Sequence, residues 1–299
     1  MNNRTIFLAV TFIASAPQSQ ACSVCIAHML GAALHGIGAQ VLPKGKLVVG
    51  VSHLTFQKSN ASESPGIREF ETYKETSIGL AYGLTDQILL SADVPFVDKT
   101  IRADGESESA RGLGDASIGL IVQRKPDDKQ PFLFAGGVSV KLPTGANNKR
   151  DASGNLLEEH LQPGTGSTDI AFGVAFTKES HGFGSGLWYG GLQARINGRN
   201  SRGMQYGNAL FYNFGYSHPI GKKAHASLEL VGRFAQKDHA SGVADDNSGG
   251  HLLYLGAGLQ APLGEQFSVG IGWQLPILER LNGDQTERGV FSIGIAGRF

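Results

Sequence analysis

Residues 289–299 read GVFSIGIAGRF and end on a phenylalanine. Phe291, Ile293, Ile295, Gly297 and Phe299 share one parity; Val290, Ser292, Gly294, Ala296 and Arg298 share the other. Alternation at period two is a strand with two unlike faces. Here one face is apolar and the other is small and polar, with an arginine. A strand that meets lipid on one side and a polar lumen on the other has this pattern. Lipid cannot satisfy an open sheet edge, so such a strand requires a closed set of partners.

The chain supplies them. Segments 45–56, 70–83, 87–98, 113–124, 131–142, 166–177, 186–198, 204–217, 224–236, 250–262 and 267–278 repeat the alternation. Each has about the 9–11 residues that cross a membrane as a tilted strand. In the last of them Phe267, Val269, Ile271, Trp273, Leu275 and Ile277 oppose Ser268, Gly270, Gly272, Gln274 and Pro276. Aromatics stand near strand ends at Phe56, Phe70, Tyr82, Phe96, Phe132 and Phe299.

Connectors 83–86, 125–130, 218–223 and 262–266 are tight; 57–69, 99–112, 144–165, 237–249 and 279–288 are longer and polar. Two break the trend: 178–185 is long for a turn and 199–203 is short for a loop. Short turns on one side and long loops on the other is the arrangement of an outer-membrane barrel. The reading is therefore all-β: an antiparallel transmembrane β-barrel of twelve strands over 45–299. An even count places both termini in the periplasm; ten and fourteen strands also satisfy it.

Composition agrees. Glycine, at 42 residues, is about twice its usual share, and a bent, crowded sheet has uses for it. Formal charge is zero, which removes the basic footprint of a nucleic-acid binder. Arg4, an apolar run from Thr5 to Ala16, and Ser19-Gln20-Ala21 form a secretory signal over 1–21. That run is too short to span a bilayer, and no later one reaches the ~18 apolar residues of a membrane helix.

Residues 22–44 form a short periplasmic segment, helical from about Val24 to Gly38, that can act as a plug. Cys22 and Cys25 are the only cysteines. With His28, Met29 and His35 they carry soft-ligand content, so Cys22, Cys25, His28 and His35 are candidate ligands of a thiophilic metal ion. Ile26 stands where a haem-attachment motif needs histidine. A disulfide in an oxidising compartment and lipidation of Cys22 are the other readings.

The strings TSIGLAYGLTDQ (76–87), ADVPFV (92–97), GLGDASIGL (112–120), KLPTG (141–145) and GTGSTDIAFG (164–173) together resemble a family of bacterial outer-membrane transporters of the phenol meta-cleavage (MetA) pathway type. The resemblance covers most of 45–299. It implies a channel and, more weakly, an aromatic substrate. The cysteine pair departs from typical members. The terminal strand, ending in Phe299, also resembles the signal read by the barrel-assembly machinery, which makes that machinery an implied partner beside outer-membrane lipid.

With the apolar parity outward, the ionisable lumen lining is Glu75, Asp93, Asp115, Asp169 and Glu229 against Lys141, Arg195, Arg233 and Arg298. Asp115 and Asp169 begin strands behind glycine turns at the outer mouth, and Lys141 and Arg195 end strands at a similar depth. Opposed charges there form either a constriction that orients solutes or ion pairs that hold strands together. The expected function is passive passage of small solutes, aromatic or organic-acid compounds among them, with no cofactor and no catalysis. The third outer loop, and the N-terminal helix as well, would narrow the lumen. Two other classes remain open: a barrel hosting a metal or redox partner, and a lipolytic enzyme. The latter rests on His239, Ser241 and Asn247, which share one glycine-rich loop, a poor place to hold a triad.

Overall fold

A computed structural model describes residues 39, 41–61, 68–124, 132–180, 186–221 and 224–299. Twelve antiparallel strands close into a barrel. They are β1 (Leu47–Ala61), β2 (Arg68–Gly83), β3 (Ile88–Ala103), β4 (Glu106–Leu113 continued by Ser117–Gln123), β5 (Phe132–Lys141) and β6 (Asp169–Ser180). Then follow β7 (Gly186–Ile196), β8 (Ala209–Ile220), β9 (Ala224–Ala235), β10 (Gly250–Leu263), β11 (Phe267–Leu281) and β12 (Val290–Arg298). Each strand pairs with its chain neighbour, and β1 closes on β12 in a register running from Val48↔Arg298 to Thr55↔Phe291. Leu47 and Phe299 exchange backbone hydrogen bonds of 3.0 and 2.8 Å at the seam. Closure leaves no sheet edge among these strands, which is the requirement lipid imposes.

The alternation sorts inside from outside as expected. On β11 the outward Ile271, Trp273, Leu275 and Ile277 are 45–59% exposed, whereas Gln274 between them is 5% exposed. Phe70, Tyr82, Phe96, Phe132 and Phe299 also face outward. Phe56 does not: it is buried inside and stacks on Tyr73 with ring centroids 5.1 Å apart.

Several boundaries differ from the sequence expectation. Residues 99–112, expected as a loop, continue β3 and β4 as a hairpin around Asp104-Gly105, with φ of 49° and 81°. Two successive left-handed residues are what a two-residue hairpin turn needs, and Asp-Gly supplies them at low cost. β8 begins at Ala209 and not at 204. Met204–Gln205 instead pairs with His239–Ala240, which pairs with Val243–Ala244, in a separate three-stranded sheet outside the barrel wall. The short loop 199–203 is thus part of a longer one between Ile196 and Ala209. β6 runs on to Ser180, so the connector to β7 spans only 181–185. Both exceptions to the short-turn, long-loop rule disappear.

Candidate functional site

Three layers of the bore carry chemistry. The first is at the end that holds the C-terminus. Ala39, Val41 and Leu42 are buried against Val48, Leu89, Ile121, Ala135, Ala175 and Ala296. The Ala39 N–H donates to Thr177 Oγ1 on β6 at 2.7 Å, and the Val41 N–H donates to Gln123 Oε1 on β4 at 2.9 Å. Nearer β1, the Lys44 N–H donates to Asp86 and the Gly45 N–H to the Gly83 carbonyl. β6 lies five strands from β1 in a ring of twelve, so this strap crosses the bore. Gly83 has to be glycine for it to do so: a Cβ there would sit 2.2 Å from the Pro43 carbonyl oxygen. Cys22, Cys25, His28 and His35, the candidate metal ligands, lie outside the described residues, as do the expected signal peptide and the expected helix.

The middle layer is mixed. Leu54, Phe56, Tyr73, Val97, Val231, Leu252, Tyr254 and Val290 form one buried apolar cluster on the inner wall. Polar groups border it. Tyr73 OH donates to Glu75 at 2.7 Å; Ser77 Oγ lies 3.0 Å from Glu75 and 3.3 Å from Asp93. Tyr189 OH donates to Glu229 at 3.2 Å, Tyr254 OH donates to Glu287 at 2.7 Å, and Arg233 pairs with Glu287 at 3.1 Å. These aromatics share the lumen parity with the charges, and parity alone could have found them. Lys58, Glu71, Lys99 and Glu287 are inner charges too; Glu71 lies at the start of the strand expected over 70–83, whereas Lys58, Lys99 and Glu287 fall in stretches expected to be loops that in fact extend the wall.

The third layer is a node at the opposite end. Lys141 Nζ lies 3.1 Å from Asp115 and 2.7 Å from Asp169, all three nearly fully buried. Asp115 sits in the break between the two halves of β4. It accepts the Gly145 N–H at 2.9 Å, the Thr165 N–H at 2.8 Å and the Thr165 hydroxyl at 2.7 Å. Both ends of the third loop are thereby tied to one carboxylate. Close backbone packing makes this feasible: a Cβ on Gly145 would lie 2.6 Å from Gly114 C, and one on Gly164 2.7 Å from Gly145 C. Asp169 in turn accepts Ser167 Oγ at 2.9 Å and the Gly198 N–H at 3.0 Å. The strings GLGDASIGL, KLPTG and GTGSTDIAFG, far apart in sequence, build this single node.

Of the nine candidate lining residues, Asp115, Lys141 and Asp169 meet, and Arg298 stands apart at the C-terminal end of β12. Glu75 and Asp93 share Ser77, while Glu229 and Arg233 stand with other partners. Arg195 does not join the node; its guanidinium lies 5.0 Å from the centre of the Phe211 ring. The aligned depth of Lys141 and Arg195 did not bring them together.

Beyond the node the third loop folds over the bore. Its 3-10 turn, Glu159–Leu161, is held from β3 by Lys99 Nζ, which donates to the carbonyls of His160 (3.0 Å) and Gln162 (2.6 Å). From the β7–β8 loop, Arg202 pairs with Glu159, and Tyr206 OH donates to the Glu159 carbonyl. Burial, then Lys58 and Lys99, push the His160 imidazole down to about 3, so it is neutral at physiological pH. The β9–β10 loop joins this roof through Asp238, which is fully buried and accepts the Gly207 N–H at 2.7 Å. Burial raises the Asp238 carboxyl to about 7, against the lowering influence of the Gly207 N–H. In the same loop Ser241 and Gly242 form a left-handed hairpin tip, and the Asn247 N–H closes a turn on Asp245. The hydroxyl of a turn tip beside its own strand is not the arrangement of a nucleophile held by a positioned base.

A closed twelve-stranded barrel, apolar outside and polar within, places this protein among outer-membrane β-barrels. A family model described as "Putative MetA-pathway of phenol degradation" matches residues 38–277, and the chain belongs to that family. Among solved structures it is similar to an outer membrane channel from Pseudomonas putida F1, at 14% identity and a TM-score of 0.69, covering 87% of this chain and 98% of that one. It is also similar to the beta domain of the Bordetella autotransporter BrkA (12%, TM-score 0.52, 86% and 100% covered). A third likeness is to the transport unit of AIDA-I from Escherichia coli (10%, TM-score 0.51, 84% and 90% covered). Identities this low speak for the fold alone. Among curated proteins none matches the chain in sequence.

Proposed function

We propose that the protein is a passive outer-membrane channel for small solutes, with aromatic and organic-acid compounds as its candidate cargo. Residues 1–21 are the export signal, the end carrying the strap and Phe299 faces the periplasm, and Phe299 presents the terminal strand to the barrel-assembly machinery. The observation that carries this reading is the way the bore is obstructed. The strap of Ala39 and residues 41–44 and the third loop lie across it; both are chain segments attached by hydrogen bonds and ion pairs, not part of the sheet. Between them the wall alternates buried charges with the Phe56, Tyr73 and Tyr254 rings. A small amphipathic solute finds both apolar contact and hydrogen-bond partners on such a wall. The family's description supports the aromatic class.

The test is swelling of liposomes that hold the refolded protein, in isosmotic solutes of graded size and in benzoate. Swelling that falls steeply with solute size is the expected result. Liposomes that swell no faster than protein-free ones, with the barrel shown to be folded, contradict the reading.

A further inference from the structure

Arg195 lies on the inner parity of β7, and among the described residues no carboxylate stands within ion-pair distance of it. Its Nε is buried without an acceptor. The inner acids around it have partners of their own: Asp169 pairs with Lys141, Glu287 with Arg233, and Glu229 accepts from Tyr189. What holds Arg195 is the Phe211 ring on β8, 5.0 Å from its guanidinium. A guanidinium laid against a ring keeps its N–H edge for other partners. Two amides beside it are in the same position. Gln193 stands directly opposite Phe211 in the sheet, and Asn213 is the next inner residue of β8. They are 5% and 7% exposed, and neither Gln193 Nε2 nor Asn213 Nδ2 has an acceptor. A buried donor without an acceptor is unfavourable, so three on one patch of wall mark a place for an acceptor that the chain does not supply. Gly191 and Arg195 are partly exposed on the same parity, which leaves the patch open to the bore.

We propose that Arg195, Gln193 and Asn213 seat the carboxylate of an apolar monocarboxylic acid, an arenecarboxylate being the type. As cargo recognition this rests on the passive-channel reading, and it names the chemical group by which the bore selects. A carboxylate offers two oxygens with about four lone-pair sites, and an arginine fork takes it in a charge-assisted, two-bond geometry that leaves capacity for amide donors. The apolar part of the solute has a place as well. Asn213 faces Val231 across β8 and β9, and Val231 faces Tyr254 across β9 and β10. Val231 and Tyr254 belong to the buried apolar cluster of the inner wall. A ring attached to the seated carboxylate meets that cluster. A small inorganic anion would match the donors but not the apolar neighbours, and the Arg195 charge disfavours a cation.

The experiment is equilibrium dialysis of the refolded full chain, in uncharged detergent at pH 7.4 and fixed ionic strength, against labelled benzoate. One saturable site per chain is expected, displaced by unlabelled benzoate and not by benzamide, its neutral counterpart. Affinity falls at least tenfold in Arg195→Gln and severalfold in Gln193→Leu and Asn213→Leu. Arg195→Lys, which keeps the charge and loses the fork, should fall between parent and Arg195→Gln. Arg111→Gln, on the exposed β3–β4 hairpin, should bind as the parent does. In a planar bilayer, benzoate should also reduce the potassium chloride current saturably in the parent and at least tenfold less potently in Arg195→Gln. Unsaturable binding, equal displacement by benzamide, or parental affinity in folded Arg195→Gln overturns the seat. Saturable, Arg195-dependent binding by a chain that passes no current upholds the seat and overturns the channel reading instead.

Discussion

Lys141 and Asp169 face each other in register across β5 and β6, Nζ to carboxylate 2.7 Å, although the entire third loop separates them in sequence. Asp115 completes the pair from β4 at 3.1 Å. The loop leaves and re-enters the wall at one buried charge cluster. Removing the cation strands two buried carboxylates, and an uncompensated buried charge typically costs about 3–5 kcal/mol. Lys141→Met should therefore lower unfolding stability in detergent by roughly that amount, and Lys141→Arg by clearly less. Denaturant titration followed by tryptophan fluorescence measures both. A loss below about 1 kcal/mol in the methionine variant would mean that the cluster does not hold the loop.

Gly83 is where the strap passes closest to the wall. In Gly83→Ala the new methyl meets the Pro43 carbonyl at 2.2 Å and the Leu42 carbonyl at 2.7 Å, so the strap must shift. Backbone neighbours yield at a cost of typically 1–3 kcal/mol. Permeation through the variant should rise while the barrel stays folded. Unchanged permeation would show that the strap does not limit passage.

The roof should respond to pH through Asp238. Its carboxyl titrates near 7 in the folded roof, above its ordinary 3.8, chiefly because it is buried. A raised acid contributes stability that is complete below the ordinary value and is lost as pH rises through the folded one. Hydrogen exchange of the Gly207 and Asp245 amides, corrected for intrinsic rates, should accordingly be slow at pH 5 and faster at pH 8. Asp238→Asn should flatten that dependence. The same pH step in both proteins would assign it to another group.

Much of this architecture was legible because a membrane wall writes period two into the chain. The parity of residues such as Ile271 and Gln274 predicted which side chains meet lipid, and each of the twelve strands overlaps a segment that alternation marked, though several boundaries shift. What alternation misses are the ends. Polar residues such as Lys58 and Lys99 read as loop, yet they lie on strands that continue past the apolar band and turn their charges inward; Glu287 joins them from a two-residue strand, Thr286–Glu287, that pairs with the far end of β1. The Asp104-Gly105 turn was the available signal for the β3–β4 hairpin. Asp115, Lys141 and Asp169 could be named as lumen residues. Their meeting depends on a break in β4 and on the packing of Gly114, Gly145 and Gly164, neither of which a strand pattern encodes. Arg195 shows the converse: equal depth does not make a contact, and its guanidinium lies over Phe211 instead.

The most direct test of passive passage is single-channel conductance of the refolded chain in a planar bilayer, alongside a version lacking residues 22–44. Discrete current steps are predicted, larger or more frequent once the strap is gone. Protein shown to be folded that gives no steps in either form would contradict the account of this barrel as a channel.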